Sequence, residues 1–421
     1  MSHVMPTKFN ASGADLMMSG ARYIGIVGPT GPWTEEQVRC ALQMLANAGT
    51  GTRISLRPQG SSRGWDVQST IAENAVRTIP GTITLDEFAR TVEEVRRTSN
   101  AKSSFQVVLC GDYVLIDTSH ELGDGKLFVD LISAIGEIIS TGELPMWART
   151  PETRHPLLKA IWHWFGRHPK HVVDTVRARI GLQGMADPAS NESSMLSSEL
   201  TAWEPSYALE IARSTESIEA GVTKWRKTHA PQSSSATVAV ALLRRAFAAV
   251  GLNSSPELLI AVNCRRYLPP KSTVNGNFIV GLSVPYSGFG SIDDNGALLN
   301  AAYESGLPLA WLSVASSAVR ISKPKPHTMP TTVSSTPRMQ LMYSDLGRPR
   351  NFSEASWFGK ENFMFTGLLD PAGPDAITVM SGSVGGERTL SASFHDNVFA
   401  RTAVREALHM VTTDPLSLLE P

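Results

Sequence analysis

The sequence has 421 residues, of which 42% are hydrophobic, and its 38 Lys and Arg residues nearly balance its 39 Asp and Glu residues. At roughly 100–200 residues per domain, this length predicts two or three domains, each with a core of its own. The near-zero net charge offers no basic excess to neutralise phosphates, which argues against nucleic acid as a partner.

The cysteines and the N-terminus bear on the cellular compartment. Cys40, Cys110 and Cys264 lie far apart and form no CxxC pair, so we expect neither a disulfide framework nor a cysteine-based zinc site, but a reducing compartment. The first residues lack a charged start followed by an apolar core, and no run of 18 apolar residues occurs, so we expect no signal peptide and no membrane span. These features predict a cytoplasmic protein, and we expect a monomer.

Helix and strand patterns alternate along the chain. Residues 35–47 have apolar positions at helical spacing, and Thr34 is placed to cap the helix. Residues 105–119 are rich in β-branched and apolar residues and are divided by Gly111-Asp112, which predicts a hairpin. A helical pattern begins at about Lys126.

The second half of the chain shows a similar alternation. Its predicted elements, in order, are helices within 155–182, a helix over 236–250, a strand over 258–262, an irregular proline-rich loop over 323–337, strands at 377–380 and 389–394, and a last helix over 398–411. Residues 183–198 are rich in Ser, Asn, Ala and Asp, which is typical of an exposed connection. We therefore divide the chain into domains at 1–182 and 199–421, joined by that linker.

The candidate chemistry lies in the segment Ser119-His120-Glu121-Leu122-Gly123-Asp124-Gly125, between the hairpin and the following helix. Histidine is suited to taking a proton near neutral pH, and the two glycines let the loop bend and approach a ligand. Asp124 could contact His120 or turn away and anchor the loop. The residues alone also fit a buried histidine satisfied by hydrogen bonds, with Asp124 as a helix cap.

Further short motifs follow in order along the chain. They are Asn263-Cys264-Arg265-Arg266 after a strand, Gly276-Asn277-Phe278, and Ser344-Asp345-Leu346-Gly347-Arg348. Together with His120-x-x-x-Asp124-Gly125, they resemble the motifs of the chloramphenicol acetyltransferase-like superfamily. That superfamily includes peptide synthetase condensation domains, mycobacterial polyketide-associated acyltransferases and wax ester synthases. Ser119 stands where condensation domains usually have a second histidine, whereas the acetyltransferase and polyketide-associated branches also lack it.

The resemblance implies an α/β fold with two acetyltransferase-like subdomains that form a V-shaped pseudo-dimer around a central tunnel. It implies that His120 is the general base and that Asp124 turns away from the substrate to pair with an arginine, for which Arg265 is the candidate. Gly123 and Gly125 would shape the loop. Asp345 and Gly347 are interpreted as a structural turn near the tunnel, and Gly276 and Asn277 as either a turn between strands or part of the tunnel lining.

The function implied is a freestanding acyltransferase in natural-product or lipid biosynthesis. It would move an acyl group from coenzyme A or a carrier protein's phosphopantetheine thioester to a small alcohol or amine, with no bound cofactor. Two alternatives remain open: another His120-dependent proton transfer on a tethered substrate, such as cyclisation or epimerisation, and a non-catalytic module that recruits a carrier protein.

Two other patterns are set aside. His163, His168 and His171 do not repeat on one helical face with a carboxylate, so we expect no metal site. The glycines at 25, 28 and 31 lack the lysine and hydroxyl residue of a phosphate loop, and we interpret them as a turn before the first helix.

Overall fold

Two large sheets, each built mainly from one half of the sequence, form the frame of the molecule. The computed structural model describes residues 7–60, 62–81, 84–99, 104–184, 199–285, 291–322, 329–349, 352, 355–359 and 361–419. Within these residues the strands also form a three-stranded and a two-stranded antiparallel sheet.

The described strands and helices have the following bounds. The strands are β1 (Lys8–Asn10), β2 (Arg22–Gly28), β3 (Leu56–Arg57), β4 (Gly64–Val67), β5 (Val76–Ile79), β6 (Phe105–Cys110), β7 (Tyr113–Ser119), β8 (Leu200–Ala202), β9 (Tyr207–Ser214), β10 (Ser254–Asn263), β11 (Ile279–Pro285), β12 (Thr332–Ser334), β13 (Met339–Asp345), β14 (Met364–Leu369), β15 (Ala376–Val384) and β16 (Glu387–His395). The helices are α1 (Gly13–Leu16), α2 (Glu35–Asn47), α3 (Leu85–Arg97), α4 (Gly125–Thr141), α5 (Met146–Arg149), α6 (Pro156–Ile161), α7 (Lys170–Gly184), α8 (Glu216–His229), α9 (Ser235–Ala249), α10 (Ile292–Ser305), α11 (Leu307–Ile321) and α12 (Arg401–Thr413).

The N-terminal sheet has the strand order β14-β2-β7-β6-β5, in which β5 and β6 are parallel and the other neighbours antiparallel. Side chains of β2 alternate between two cores, as a two-sided buried strand requires. Tyr23 and Val27 face the core that contains α2 and α4, and Ile24 and Ile26 face α3. The predicted hairpin is confirmed: β6 and β7 flank Gly111, whose φ of 57° lies in the left-handed region.

Helices α2 and α3 begin with capping boxes, and α2 begins where the sequence predicts. Thr34 caps α2 because its Oγ1 accepts a bond from the Gln37 main-chain N–H, and Gln37 Oε1 in turn accepts a bond from the Thr34 main-chain N–H. Thr84 and Glu87 form the same capping box at α3. These reciprocal bonds satisfy donors that a helix N-terminus otherwise leaves unpaired.

The C-terminal sheet has the order β11-β10-β13-β15-β16-β9, with β13 parallel to both of its neighbours and the remaining pairs antiparallel. The predicted strand pair around Gly385-Gly386 is confirmed as β15 and β16. The proline-rich loop prediction is wrong at Thr332–Ser334, which pair with Leu200–Ala202 as a two-stranded ribbon; residues 323–328 lie outside the described part.

The division of the sequence into two halves does not match the division of the strands between the two sheets. Strand β14 belongs to the second half of the chain but pairs with β2 in the N-terminal sheet, Met364 opposite Gly28. The segment predicted as a linker, 183–198, overlaps the last residues of α7, and residues 185–198 lie outside the described part. Because β14 lies in the N-terminal sheet while β13 and β15 lie in the C-terminal sheet, the polypeptide itself connects the two sheets, in addition to their packing.

Helix α3 provides a second connection between the halves. It packs on the N-terminal sheet and also contacts β9 of the C-terminal sheet. The Glu93 carboxylate on this helix accepts a bond from the Leu209 main-chain N–H at 2.7 Å and pairs with Arg401 at 2.8 Å. Charged and apolar contacts on one helix therefore fix how the sheets lie against each other.

The interpretation of Gly25 and Gly28 as a turn is wrong, because both lie within β2. A side chain at Gly25 would overlap the Phe128 ring. Gly25 lets α4 approach the sheet closely. Gly25 and Gly28 belong to a strand and not to a phosphate-binding loop.

Candidate functional site

His120 lies directly after β7, on the loop that leads into α4. Its main-chain N–H donates to the Ala21 carbonyl oxygen at 2.9 Å, and its carbonyl oxygen accepts a bond from Asn277 Nδ2 at 2.8 Å. The loop is therefore held from both halves of the chain, which fixes the backbone that carries the imidazole.

His120 is only 7% exposed, and it lines a cavity. Nδ1 is enclosed and has no hydrogen-bond partner of good geometry among the described residues. The Tyr23 ring packs edge-on against it, with ring centroids 5.3 Å apart. Because Nδ1 is enclosed, Nε2 is the nitrogen available to a ligand in the cavity.

Burial lowers the pKa of His120 below its ordinary value of 6.5, because the charged imidazolium is poorly solvated there. The Asp124 charge, the nearby backbone oxygens of His120 and Gly123, and Asn277 oppose this effect in part. The balance leaves the ring neutral at pH 7, the form that can accept a proton.

Asp124 turns away from His120. Its Oδ1 accepts a bond from the Lys126 main-chain N–H at 3.1 Å and so caps α4, while its Oδ2 accepts bonds from the Phe278 N–H at 3.0 Å and Arg265 Nη1 at 2.8 Å. The carboxylate acts on the imidazole through its charge and through the loop it anchors. Both the helix cap and the arginine pairing that the sequence suggested are present.

Arg265 lies in the 3₁₀ turn Cys264–Tyr267, just after β10. Besides Asp124, it donates to the carbonyl oxygens of Val274 at 3.0 Å and Gly276 at 2.7 Å. Its side chain is only 12% exposed. One guanidinium thus ties the His120 loop to the segment that precedes β11, a geometry that suits a planar, multiply donating group.

Gly276 and Asn277 lie behind the His120 loop and outside the cavity lining. A side chain at Gly276 would overlap the guanidinium of Arg53, which is held by Asp15 and Glu152. Asn277 Nδ2 donates to the carbonyl oxygens of His120 and Glu121. The main-chain N–H of Asn277 donates to Asp15 Oδ1 at 2.9 Å. Of the two predicted roles, the structure supports the turn between strands.

The remaining loop residues pack closely around the helix start. Ser119 Oγ donates to the Glu121 carboxylate at 3.4 Å. A Cβ atom on Gly123 would lie 2.5 Å from Leu127 Cδ2, and one on Gly125 would lie 2.6 Å from Leu346 Cδ2. Both glycines therefore permit close approach of neighbouring side chains.

Asp345 and Gly347 form the expected turn after β13. The Gly347 N–H donates to Asp345 Oδ1 at 2.8 Å, and Gly347 has a φ of 76°, which favours glycine. Asp345 also lies in the cavity lining, as do Leu346 and Arg348. The turn shapes one wall of the site.

The cavity has a volume of about 940 Å³ and lies between the two sheets. Its walls come from both halves of the chain. Residues on them include Leu16, Met17, Tyr23, His120 and Val129 from the N-terminal half and Ala261, Asn263, Ile279, Met342 and Met380 from the C-terminal half. A space of this size accommodates a drug-sized ligand or two small substrates.

The cavity wall carries a charged pair that the sequence alone does not indicate. Arg96 Nε lies 2.7 Å from Asp370 Oδ1, and the Arg96 guanidinium lies over the Tyr207 ring, 5.2 Å from its centroid. All three side chains line the cavity. No local pattern indicates this cluster, since its members come from α3, from the end of β14 and from β9.

Tyr23 is the other site residue that the sequence did not single out. Burial, and secondarily the Asp124 charge, raises the pKa of its phenol, so the hydroxyl stays protonated throughout the physiological range. It sits within an apolar strand with no flanking motif.

Two of the three histidines considered for a metal have a ring nitrogen close to a main-chain carbonyl oxygen. His163 Nδ1 lies 3.2 Å from the Tyr267 carbonyl oxygen, and His171 Nδ1 lies 3.1 Å from the Trp164 carbonyl oxygen. In the described ranges, no group of three or more His, Cys, Asp or Glu side chains could hold a metal ion. Nor is any helix in that part of the chain long and apolar enough to span a bilayer.

Comparisons with known proteins bear on the fold. No protein-family model and no curated protein matches the chain. Its structure is similar to that of the TRI3 trichothecene 15-O-acetyltransferase from Fusarium sporotrichioides, with a TM-score of 0.62 and 11% identity over 98% of this chain and 95% of that one.

Two domains from multienzyme synthases are also similar in structure. The condensation domain of the monacolin K polyketide synthase MokA has a TM-score of 0.59 and 11% identity, covering 98% of this chain and 99% of that one. The epimerization domain from the third module of tyrocidine synthetase B has a TM-score of 0.54 and 11% identity, covering 100% and 98%. The chain therefore has the two-part α/β fold of the chloramphenicol acetyltransferase-like proteins, as its motifs predict.

Proposed function

We propose that this chain is an acyltransferase that moves an acyl group from a thioester to an alcohol or amine, with His120 as general base. The observation that carries the proposal is a neutral imidazole on the wall of a cavity between two halves, with Nδ1 enclosed and Nε2 left for a ligand. The fold, shared with an acetyltransferase and a condensation domain, supports it.

The chemistry requires one proton to move twice. Nε2 of His120 takes the proton from the acceptor's O–H or N–H as the oxygen or nitrogen attacks the thioester carbonyl carbon. The tetrahedral adduct then expels the thiolate, and the imidazolium returns the proton to the leaving sulfur. General base catalysis of this kind contributes roughly 10²–10⁴-fold, and the positioning of two substrates contributes further.

Asp124 and Arg265 act as positioning residues in this scheme. Their ion pair at 2.8 Å fixes the start of α4 and the loop that carries His120. The Asp124 charge also favours the imidazolium that forms during the reaction. Neither side chain needs to touch substrate for these effects.

The donor is proposed to be an acyl thioester of coenzyme A or of a carrier protein's phosphopantetheine, with a small-molecule acceptor and no resident cofactor. A role in natural-product biosynthesis is supported by the structural likeness to a polyketide synthase domain and a trichothecene acetyltransferase. The predicted monomer and the predicted cytoplasmic location remain proposals.

A second candidate is a different His120-dependent proton transfer on a tethered substrate. It is supported by the likeness to an epimerization domain over the whole of this chain. Epimerisation leaves the mass of the substrate unchanged and releases no thiol, whereas acyl transfer releases the thiol and makes the acceptor heavier by the acyl group. A recruitment module without catalysis is disfavoured, because such a module needs no imidazole on its cavity wall.

The test is a screen of acyl-coenzyme A thioesters against alcohols and amines, with free thiol measured by a colorimetric reagent and products by mass spectrometry. We expect thiol release that depends on the acceptor and a product heavier by the acyl group. The control is the same screen without acceptor, which measures thioester hydrolysis. Product of unchanged mass from a carrier-bound substrate would support epimerisation instead.

A further inference from the structure

Helices α7 and α11 present large apolar side chains to solvent. We define the α7–α11 face by these residues, whose side chains are between 38% and 89% exposed: Val172, Val173, Val176, Ile180, Trp311, Val314 and Ile321. A surface helix of a globular protein ordinarily directs such residues inward and polar ones outward. An exposed apolar surface of this kind marks a binding face.

On α7 the exposed apolar residues follow the helical period. Val172, Val176 and Ile180 are four residues apart and so lie along one side of the helix. The opposite side is already used, because Leu182 is buried and Thr175 Oγ1 donates to the Ser305 carbonyl oxygen at 2.7 Å. The fold therefore does not use the exposed apolar residues of α7 for its own packing.

The two helices lie side by side, and their exposed residues meet. The Arg179 guanidinium of α7 lies over the ring of Trp311 on α11, 5.2 Å from its centroid. The preceding α6 and the π-helical turn after it contact α11 and α7 and contribute exposed Leu158 and Trp162. The apolar residues thus form one surface that spans several helices.

The charges around this surface are strongly biased. Helices α7 and α11 carry four cationic residues, Lys170, Arg177, Arg179 and Arg320, against the single carboxylate of Asp174. All four cationic side chains are exposed. Aliphatic residues and tryptophan bordered by Lys and Arg are the composition of helices that lie in a membrane interface.

We infer that the α7–α11 face binds the surface of an anionic lipid bilayer. The apolar side chains would enter the headgroup–acyl boundary while the cations contact lipid phosphates and carboxylates. The face also adjoins the cavity, since Val319 and Ser322 at the end of α11 line it. The inference does not depend on the reaction proposed at His120.

The test is co-sedimentation of the full chain with vesicles. We expect binding to vesicles of phosphatidylcholine and phosphatidylserine, weak binding to phosphatidylcholine alone, and loss of binding as salt rises. Each cation near an anionic surface contributes roughly a fivefold change in affinity, so Lys170→Gln/Arg179→Gln should bind roughly 25-fold more weakly. Val176→Ser/Ile180→Ser should lose on the order of tenfold.

Matched controls separate this face from general effects of charge. Lys224→Gln/Lys227→Gln removes two exposed cations from α8 and should bind vesicles as the wild type does, as should His120→Ala. Circular dichroism melts should show that all variants fold. Absence of binding to anionic vesicles, or equal binding by wild type and face variants, would overturn the inference. So would self-association or carrier-protein binding that is lost in the face variants while vesicle binding is absent.

Discussion

Asn277 donates a hydrogen bond from Nδ2 to the main-chain carbonyl oxygen of His120 at 2.8 Å, across 157 residues of sequence. The same amide reaches the Glu121 carbonyl oxygen at 3.1 Å, and the Asn277 N–H is bound by Asp15. Asn277, from the C-terminal half, therefore holds in place the main chain of His120, from the N-terminal half.

Asn277→Ala is expected to lower kcat more than it raises KM, because it frees the His120 loop without altering the cavity wall. Removing a donor from buried carbonyl oxygens should also cost about 1–3 kcal/mol of unfolding free energy. Steady-state kinetics and urea unfolding measure the two effects. A variant with wild-type kcat would show that the loop does not need this bond.

Loss of one partner of the Asp124–Arg265 pair is expected to destabilise the fold, since both side chains are largely buried. Asp124→Ala should cost about 3–5 kcal/mol, because it leaves the arginine uncompensated. The double variant Asp124→Ala/Arg265→Gln should cost less than the sum of Asp124→Ala and Arg265→Gln, because it leaves neither charge unpaired. Denaturant midpoints measure the series, and strictly additive single and double effects would contradict a direct interaction.

Gly276→Ala is expected to destabilise by about 1–3 kcal/mol, as overpacking does. The added methyl group would overlap Arg53, which cannot move without breaking its bonds to Asp15 and Glu152. The matched control is Gly221→Ala within α8, where the nearest atom to an added Cβ is 3.8 Å away. That change should be neutral or stabilising, because alanine favours helix over glycine by about 1 kcal/mol.

The pH dependence should follow the lowered pKa of His120. The base form predominates above pH 6.5, so the acid-side inflection of kcat/KM should lie below 6.5 and the profile should level off as pH rises above it. The same shift affects stability: the unfolded chain gains the proton below 6.5 before the folded chain does, so stability should decrease as pH falls. An inflection in kcat/KM above pH 7 would show that another group, or a solvated imidazole, controls the reaction.

Local sequence patterns predicted much of the fold. The hairpin at Gly111, the capped α2 and the helix after Gly125 were visible because each depends on neighbours a few residues away. The Asp124–Arg265 pair, 141 residues apart, was accessible only through the motif resemblance. Motifs of that kind carry long-range information that periodicity lacks.

The parts that were missed depend on distant partners. The sequence of β14 resembles that of any short apolar strand and does not indicate its neighbour. Its position beside β2 depends on tertiary packing. The pairing of Arg96 with Asp370 and the role of Asn277 likewise arise where separate elements meet. Thr332–Ser334 form a strand within a proline-rich stretch because Leu200–Ala202 offer a partner for their main chain.

Single-turnover acyl transfer by purified His120→Ala tests the central claim most directly. With an active thioester and acceptor pair in hand, the amount of acylated product formed by wild type and variant at saturating substrate is compared by mass spectrometry. We expect a decrease of roughly 10²–10⁴-fold with an unchanged melting temperature. A rate within threefold of wild type would show that the imidazole is not the base.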